Sequence, residues 1–422
     1  MDKIEELLTR GVANTIPNKE ELKKVLSTGK KLNVYLGIDP TATKIHLGHA
    51  VVLRKLNEFA KLGHNVTFLI GDFTALIGDT SDKDAERPVL TPEEIHENFK
   101  TYKKQAEKIL DFSKVTIRQN SEWLKKLTYE DLIKLKRQFS LNDFTSRELI
   151  KKRLDEGKSV RLDETEYPIM QGYDSYIMDT DIQLGGTDQL YNMQAGRTLQ
   201  KAFRKKETYV MTTRLLHGTD GDKMSKTRGN VIWLEDEPKD MYAKIMAIHD
   251  DFILEYYELA TSVPMDKIIE VSSSLKSTSN PISIKKGLAY TITSELCGKE
   301  RAELAQSNFE RFVQQKQKPE HIPVFDPTAI PAFQHPPSIN TGATQVEPIF
   351  PFTRTSGATI ADALVYSDLA GTISEAKRVV NQGGVQYDNK IIRNSNEPFI
   401  PKNDAILRVG KRPDKRRRIK IK

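Results

Sequence analysis

The feature that most constrains this chain is the stretch from Val34 to Ile70. An apolar run, Val34, Tyr35, Leu36 and Ile38, breaks at Asp39-Pro40-Thr41, and a helix is predicted to open near Gly48. Its apolar positions Val52, Leu56, Phe59 and Ala60 fall at i, i+4, i+7 and i+8, one face of a helix; Gly63 stops it, and Val66 to Ile70 returns as a strand. Strand, helix, strand is a βαβ unit, so the two strands run parallel. At the strand-to-helix turn stands His46-Leu47-Gly48-His49. A helix N-terminus there presents unpaired N–H groups and partial positive charge to an anion, while a glycine lets a flat ligand approach the backbone, so a phosphate is expected. Two imidazoles beside it can donate hydrogen bonds to a phosphoryl group on which charge builds, without supplying a nucleophile. No G-x-x-x-x-G-K motif occurs in the chain.

A second stretch, Lys223-Met224-Ser225-Lys226-Thr227, follows a strand-like run from Tyr209 to Thr212 and sits among Gly218, Gly221, Asp222 and Gly229. It reads as a mobile loop whose two ammonium groups can approach a pyrophosphate. Either stretch alone is compatible with an ordinary turn. Together, in this order, they resemble the HIGH and KMSKS signatures of class I aminoacyl-tRNA synthetases on a Rossmann-type domain, with Thr227 keeping the hydroxyl of the last signature position. Four further blocks narrow the resemblance: Tyr35 to Ala42, Leu76 to Asp79, Tyr167 to Asp174 and Gln183 to Gln189. In order and spacing they resemble bacterial-type tyrosyl-tRNA synthetases from about Leu32 through Lys226, and more loosely over the rest of the chain.

That resemblance implies an assignment of residues. Tyr35 and Asp174 would hydrogen-bond the phenolic hydroxyl of substrate tyrosine, and Asp79, Tyr167 and Gln171 would hold its ammonium. A pocket that accepts Tyr and rejects Phe needs buried polar partners that are left unpaired when the hydroxyl is missing, at about 1–3 kcal/mol each; the family resembled is itself a standard example of such discrimination. Gly37, Asp39, Thr41, His46, Gly48 and His49 would surround ATP, with Gly186, Asp188 and Gln189 near the ribose and the reacting carboxylate. Lys83, Arg87, Lys223, Lys226 and Thr227 would neutralise the departing pyrophosphate, although the charged stretch holding Lys83 and Arg87 also reads as a solvated loop. Magnesium would accompany ATP through its phosphates, with no dedicated protein metal site. Leu36 stands where some relatives place a cysteine that touches the ribose, and Val52 where some place a polar residue. Two rival readings stay open on the residues: another H-x-G-H nucleotidyltransferase, such as a tryptophanyl-tRNA synthetase or a cytidylyltransferase, and a silent RNA-binding paralogue. An indole offers only a donor, which disfavours tryptophan against Tyr35 and Asp174; the RNA-binding end of the chain disfavours a small-molecule transferase, and intact His46, His49, Lys223 and Lys226 disfavour the silent paralogue.

At 422 residues the chain is expected to hold two or three domains. Residues 1–234 are expected to form an α/β Rossmann-type catalytic domain with a helical insertion at about 120–166, which in the family forms a homodimer contact. An all-α anticodon-recognition domain would follow at 235–318 and a linker without regular structure at 319–355, where eight of the 19 prolines fall between Pro319 and Pro351. Residues 356–422 resemble the small α+β RNA-binding fold shared with a small-subunit ribosomal protein: an apolar stripe of Ile360, Ala363 and Leu364, a second helix begun by Ser374 as its cap, a Gly383-Gly384 stop, and a hairpin from Val385 to Ile392. The whole net charge of +7 is matched by Lys411 to Lys422, a basic tail of eight Lys or Arg and one Asp. Lys377 and Arg378 with Lys411, Arg412, Lys415, Arg416, Arg417 and Arg418 would form a salt-sensitive surface for tRNA. One cysteine, Cys297, allows no intrachain disulfide and fits a reducing compartment. The mixed-charge start is neither a signal nor a transit peptide, and no apolar run of about 18 residues suggests a membrane span, so the cytoplasm is expected.

Overall fold

The computed structural model describes residues 2–41, 43–79, 90–225, 229–277, 280–314, 324–330, 358–410 and 417–422. Its first sheet has six strands: β1 (Val12–Ile16), β2 (Asn33–Ile38), β3 (Asn65–Ile70), β4 (Val115–Gln119), β5 (Ile182–Gly186) and β6 (Tyr209–Thr213). They lie in the order β1-β6-β5-β2-β3-β4, with β1 antiparallel on one edge and every other pair parallel. The chain steps from β2 outward to β3 and β4, then returns to place β5 on the other side of β2. The carboxyl ends of β2 and β5 therefore flank a switch point, where α/β sheets leave an open crevice for ligands.

The helix Leu47–Lys61 crosses from β2 to β3. Leu56, Phe59 and Ala60 are buried as expected, joined by Ala50 and Leu53, and of the four expected positions only Val52 is half-buried. Lys55 also turns inward, because its ammonium reaches the Leu7 carbonyl at 2.9 Å and Glu58 at 2.6 Å. In the insertion, the periodic stretch Phe144 to Leu154 is two short helices, Leu141–Thr145 and Glu148–Asp155, with an extended Arg147 capping the second. Arg153 and Glu164 form a fully buried bidentate pair at 2.7 and 3.0 Å that ties this region to the start of the helix Glu166–Ile177.

The chain divides into two compact units, 1–306 and 307–422. Residues 235–306, expected as part of a separate helical domain, share the first unit with the sheet. The reason is visible at Arg10: its guanidinium is buried and donates to the carbonyls of Glu258, Thr261 and Val263 at 2.9, 2.7 and 2.8 Å, closing the C-terminal end of the helix Ile253–Ala260. The long helical pattern from Ile282 is likewise interrupted, into Ile282–Cys297 and Lys299–Phe309, by Gly298 at φ +94°.

The second unit holds a mixed five-stranded sheet: β7 (Val324–Phe325), β8 (Val385–Tyr387), β9 (Lys390–Ile392), β10 (Ile406–Val409) and β11 (Arg417–Ile421), in the order β7-β11-β10-β8-β9. Helices Ile360–Tyr366 and Ile373–Asn381 cover a core that includes Leu364, Ala376, Val380, Leu407 and Ile421. The β8–β9 turn, Asp388-Asn389, has both φ values positive, as a two-residue hairpin requires.

Three expectations need correction. The cap of Ile373–Asn381 is Thr372, whose hydroxyl accepts the Glu375 N–H at 3.1 Å; Ser374 lies inside the helix. Residues 324–330, expected without regular structure, supply β7 and a turn of 3-10 helix at Pro327–Ala329, because β7 pairs in parallel with β11. The end of the basic stretch is no tail: β11 lies between β7 and β10, with Ile419 and Ile421 buried. The backbones of Arg417 and Arg418 belong to that strand, whereas Lys411, Arg412, Lys415, Arg416 and the rest of 319–355 fall outside the described residues. Among the described residues no helix is long and apolar enough to cross a membrane.

Candidate active site

The nucleotide side is built at the end of β2. Asp39, one residue beyond the strand, accepts hydrogen bonds from the Thr74 hydroxyl at 2.7 Å and the Tyr167 hydroxyl at 2.9 Å. Its carboxylate lies so close to Gly71 that a Cβ there would stand 2.0 Å from Oδ1. Gly37 contributes exposed backbone within β2, Thr41 donates its N–H to the Asp39 carbonyl at 2.8 Å, and Gly186 closes β5 on the opposite side of the crevice.

His46 is the N-cap of Leu47–Lys61. Its Nδ1 accepts the Gly48 N–H at 3.1 Å, while its own N–H reaches His49 Nδ1 at 3.4 Å. The two rings lie 3.9 Å apart, and a Cβ on residue 48 would be 2.9 Å from the His46 ring, so only glycine admits this cap. The arrangement corrects the expectation of unpaired N–H groups. Leu47 N–H is bonded to the Ile232 carbonyl at 2.9 Å, Gly48 N–H to the imidazole, and His49 and Ala50 N–H to the His46 carbonyl at 2.9 and 3.2 Å. What remains for an anion is the helix dipole and an imidazole N–H. Burial, then the neighbouring His49 and Lys223, push His46 down to about 2, so the ring is neutral near pH 7; with Nδ1 accepting, its proton sits on Nε2.

On the other side of the crevice the Lys223 ammonium stands 3.5 Å from Asp188 Oδ2. Lys226 and Thr227 lie outside the described residues, as do Lys83 and Arg87.

The helix Glu166–Ile177 presents Tyr167, Gln171 and Asp174 on one face at i, i+4 and i+7. Asp174 is buried: Oδ1 accepts the Trp123 indole N–H at 2.7 Å, and Oδ2 accepts from Asn120 at 3.1 Å. Burial outweighs these donors and pushes the carboxyl up to about 8. Tyr35, buried on β2, donates to Gln183 Oε1 at 3.2 Å, and burial together with the Asp174 charge raises its phenol well above the usual range. Asp79 accepts from Gln189 at 2.5 Å and from Asn192 at 3.4 Å.

The structure thus joins residues singled out from distant blocks: Asp39 with Tyr167, Asp79 with Gln189, and Asp188 with Lys223. It also adds residues the sequence reading missed. Asn120 and Trp123 hold Asp174, Thr74 holds Asp39, and Gln183 holds Tyr35. Asn192 braces Asp79 and keeps a buried Oδ1 with no hydrogen-bond partner among the described residues. Gln183 carried a signal, being polar between Ile182 and Leu184 of an apolar strand; Trp123 carried none, since a buried tryptophan is ordinary core.

Residues 27–314 match the model of the family described as tRNA synthetases class I (W and Y). The chain is 40% identical to the tyrosine–tRNA ligase of Thermotoga maritima, over 96% of its own length and 95% of the relative's. It is 41% identical to that of Carboxydothermus hydrogenoformans over the same shares. Among solved structures, the tyrosyl-tRNA synthetase of Archaeoglobus fulgidus complexed with L-tyrosine superposes with a TM-score of 0.57 at 24% identity, covering 72% of this chain and 99% of that one. A C-terminally truncated mitochondrial tyrosyl-tRNA synthetase of Coccidioides posadasii gives 0.61 at 23%, covering 72% and 91%; both likenesses speak to the fold. A Rossmann-like parallel sheet with a histidine-capped crevice and a facing lysine loop is the framework of a class I aminoacyl-tRNA synthetase. Within that class, with about 40% identity over nearly its full length, the chain belongs to the tyrosyl-tRNA synthetases.

Proposed function

We infer that this chain is a tyrosine–tRNA ligase, an inference carried by its identity to such ligases across 96% of its length. It activates L-tyrosine with ATP to tyrosyl-adenylate and pyrophosphate, then transfers tyrosine to the 3′-terminal adenosine of its tRNA. In the first step a tyrosine carboxylate oxygen bonds to the α-phosphorus while the bond to the pyrophosphate oxygen breaks; the carboxylate is already ionised, so no general base is required. In the second, a ribose hydroxyl of the tRNA bonds to the tyrosyl carbonyl and AMP leaves.

In this reading the site works by position and charge. His46, a neutral donor through Nε2, and His49 meet the phosphoryl oxygens, and Lys223, Lys226 and Thr227, with Lys83 and Arg87, meet the leaving pyrophosphate. Gly37, Asp39, Thr41, Gly48, Gly186, Asp188 and Gln189 surround the nucleotide, which enters as its magnesium complex. Asp174 and Tyr35 receive the phenolic hydroxyl. Asp79, Tyr167, Gln171 and the unpartnered Asn192 Oδ1 receive the ammonium.

Tyr129, Leu141 and Leu162, exposed by 77, 66 and 85%, crowd the helical insertion, and apolar surface of this kind supports a homodimer through it. Lys377 and Arg378, exposed on the helix Ile373–Asn381, bind tRNA, and the charge of the basic stretch from Lys411 to Arg418 supports the same role for it. The cytoplasm is the compartment of this reaction.

Exchange of labelled pyrophosphate into ATP, run with each of the twenty amino acids and no tRNA, tests the central reading. Exchange with tyrosine alone is expected; exchange with tryptophan, or none at all, would overturn it. Light scattering tests the dimer: Leu162→Asp is expected to lower the mass from twice 48.0 kDa to 48.0 kDa.

A further inference from the structure

The Lys223 ammonium is placed by a hairpin that depends on one buried side chain. Met224 N–H bonds to the Leu216 carbonyl at 3.2 Å, and Gly218 N–H to the Asp222 carbonyl at 2.7 Å, folding residues 216–224 back on themselves. Asn230, only 3% exposed, stitches the fold together. Its Oδ1 accepts the Ser225 N–H at 2.8 Å, and its Nδ2 donates to Asp220 Oδ1 at 2.7 Å and to the Lys223 carbonyl at 3.1 Å. Its own carbonyl accepts the Thr219 N–H at 3.1 Å. The root of the hairpin is held separately: Glu255 accepts His217 N–H at 2.9 Å, and the Tyr256 hydroxyl donates to the His217 carbonyl at 2.7 Å.

We propose that Asn230 is a positioning residue for adenylate formation, setting Lys223 at the pyrophosphate side of the crevice by binding the Lys223 carbonyl, the Ser225 N–H beyond it and the Asp220 carboxylate before it. The inference rests on the reading of the site given above. Two of the three side-chain hydrogen bonds go to main-chain atoms, the Lys223 carbonyl and the Ser225 N–H, so the amide determines where the Lys223 backbone runs, while the Lys223 side chain itself points to Asp188. An interaction that places charge for the transition state changes turnover, and one that only supports the pocket changes substrate binding as well. Tyr35, Asp174 and Asp79 make no hydrogen bond to Asn230 among those described, so tyrosine binding should not feel its loss.

Asn230→Asp keeps the shape and the acceptor for Ser225 N–H, but sets a carboxylate against Asp220 and removes the donor to the Lys223 carbonyl. Tyrosine-dependent pyrophosphate exchange is expected to lose at least tenfold in kcat, with KM for tyrosine within twofold of wild type. Adding Asp220→Asn restores a donor and an acceptor with the roles exchanged, and at least threefold of the lost kcat should return. Asp220→Ala, at an exposed position, breaks the same contact without risk to the core and should lower kcat in the same direction. An unchanged kcat, or a fall accompanied by an equal rise in KM for tyrosine, would overturn the proposal. Hydrogen–deuterium exchange over residues 216–225 decides independently of activity: Asn230→Ala should expose the Ser225 amide, and retained protection would refute the role of Asn230. Absence of exchange in wild type would instead count against the ligase reading.

Discussion

Replacing Asp174 by asparagine changes one atom in a site that is 3% exposed, and the surrounding hydrogen bonds predict the outcome. The Asn oxygen can still accept from Trp123, but its NH2 then faces the Asn120 Nδ2 donor. Asn120 cannot rotate its amide without losing Phe73 N–H, bound to its Oδ1 at 2.9 Å, and the Thr74 hydroxyl at 3.0 Å. The phenolic O–H of tyrosine therefore meets donors where it had a carboxylate. A hydrogen bond to a charged group contributes about 1.5–3 kcal/mol, which is roughly 10- to 150-fold in kcat/KM. Phenylalanine has no hydroxyl to lose, so its kcat/KM should stay within about threefold, and the preference for tyrosine should collapse by the full factor. Pyrophosphate exchange with both amino acids measures this, and a thermal melt shows that the fold survives. The pH profile sharpens the test. Since Asp174 sits near 8 in the free protein, tyrosine must bind with loss of a proton at lower pH. The Tyr-to-Phe ratio should then rise with pH, by no more than that whole factor, and level off above about 8, while Asp174→Asn should be flat. Equal losses for the two amino acids, or a ratio that falls with pH, would refute the reasoning.

His46 is held far below its unfolded value, so in acid the unfolded chain binds a proton that the native one does not, and stability is lost as pH falls below about 6.5. Relative to His46→Asn, wild type should lose about 3 kcal/mol between pH 7 and 4 in urea titrations; a constant difference would show that the imidazole is not kept neutral. Arg10→Met strands three carbonyls at the end of Ile253–Ala260 and should lower unfolding stability by about 3–5 kcal/mol; a change below about 1 kcal/mol would mean that water replaces the guanidinium. Ile421→Ala should destabilise the second unit by about 2–5 kcal/mol, seen in a melt of the full chain, because Ile421 is fully buried. No change would mean that the last strand behaves as the solvated tail its composition suggests.

What the sequence determined by itself is local. The strand, helix, strand order from Val34 to Ile70 follows from periods of two and 3.6 residues, which any window of the chain displays. The Gly383-Gly384 stop and the hairpin at Asp388-Asn389 follow from turn chemistry in the same way. The tertiary structure decided which distant groups meet. Asp174 takes its donors from residues 120 and 123, and Tyr35 donates a hydrogen bond to residue 183 across the β2–β5 pair. The Leu47 N–H, expected to await an anion, is taken by the Ile232 carbonyl. Arg417–Ile421, the end of a stretch that is hydrophilic by composition, becomes an interior strand because β7 and β10 offer it two open edges. Periodicity records which face of an element is apolar, but strand order and side-chain pairing depend on how the whole chain closes, and no window of sequence contains that information.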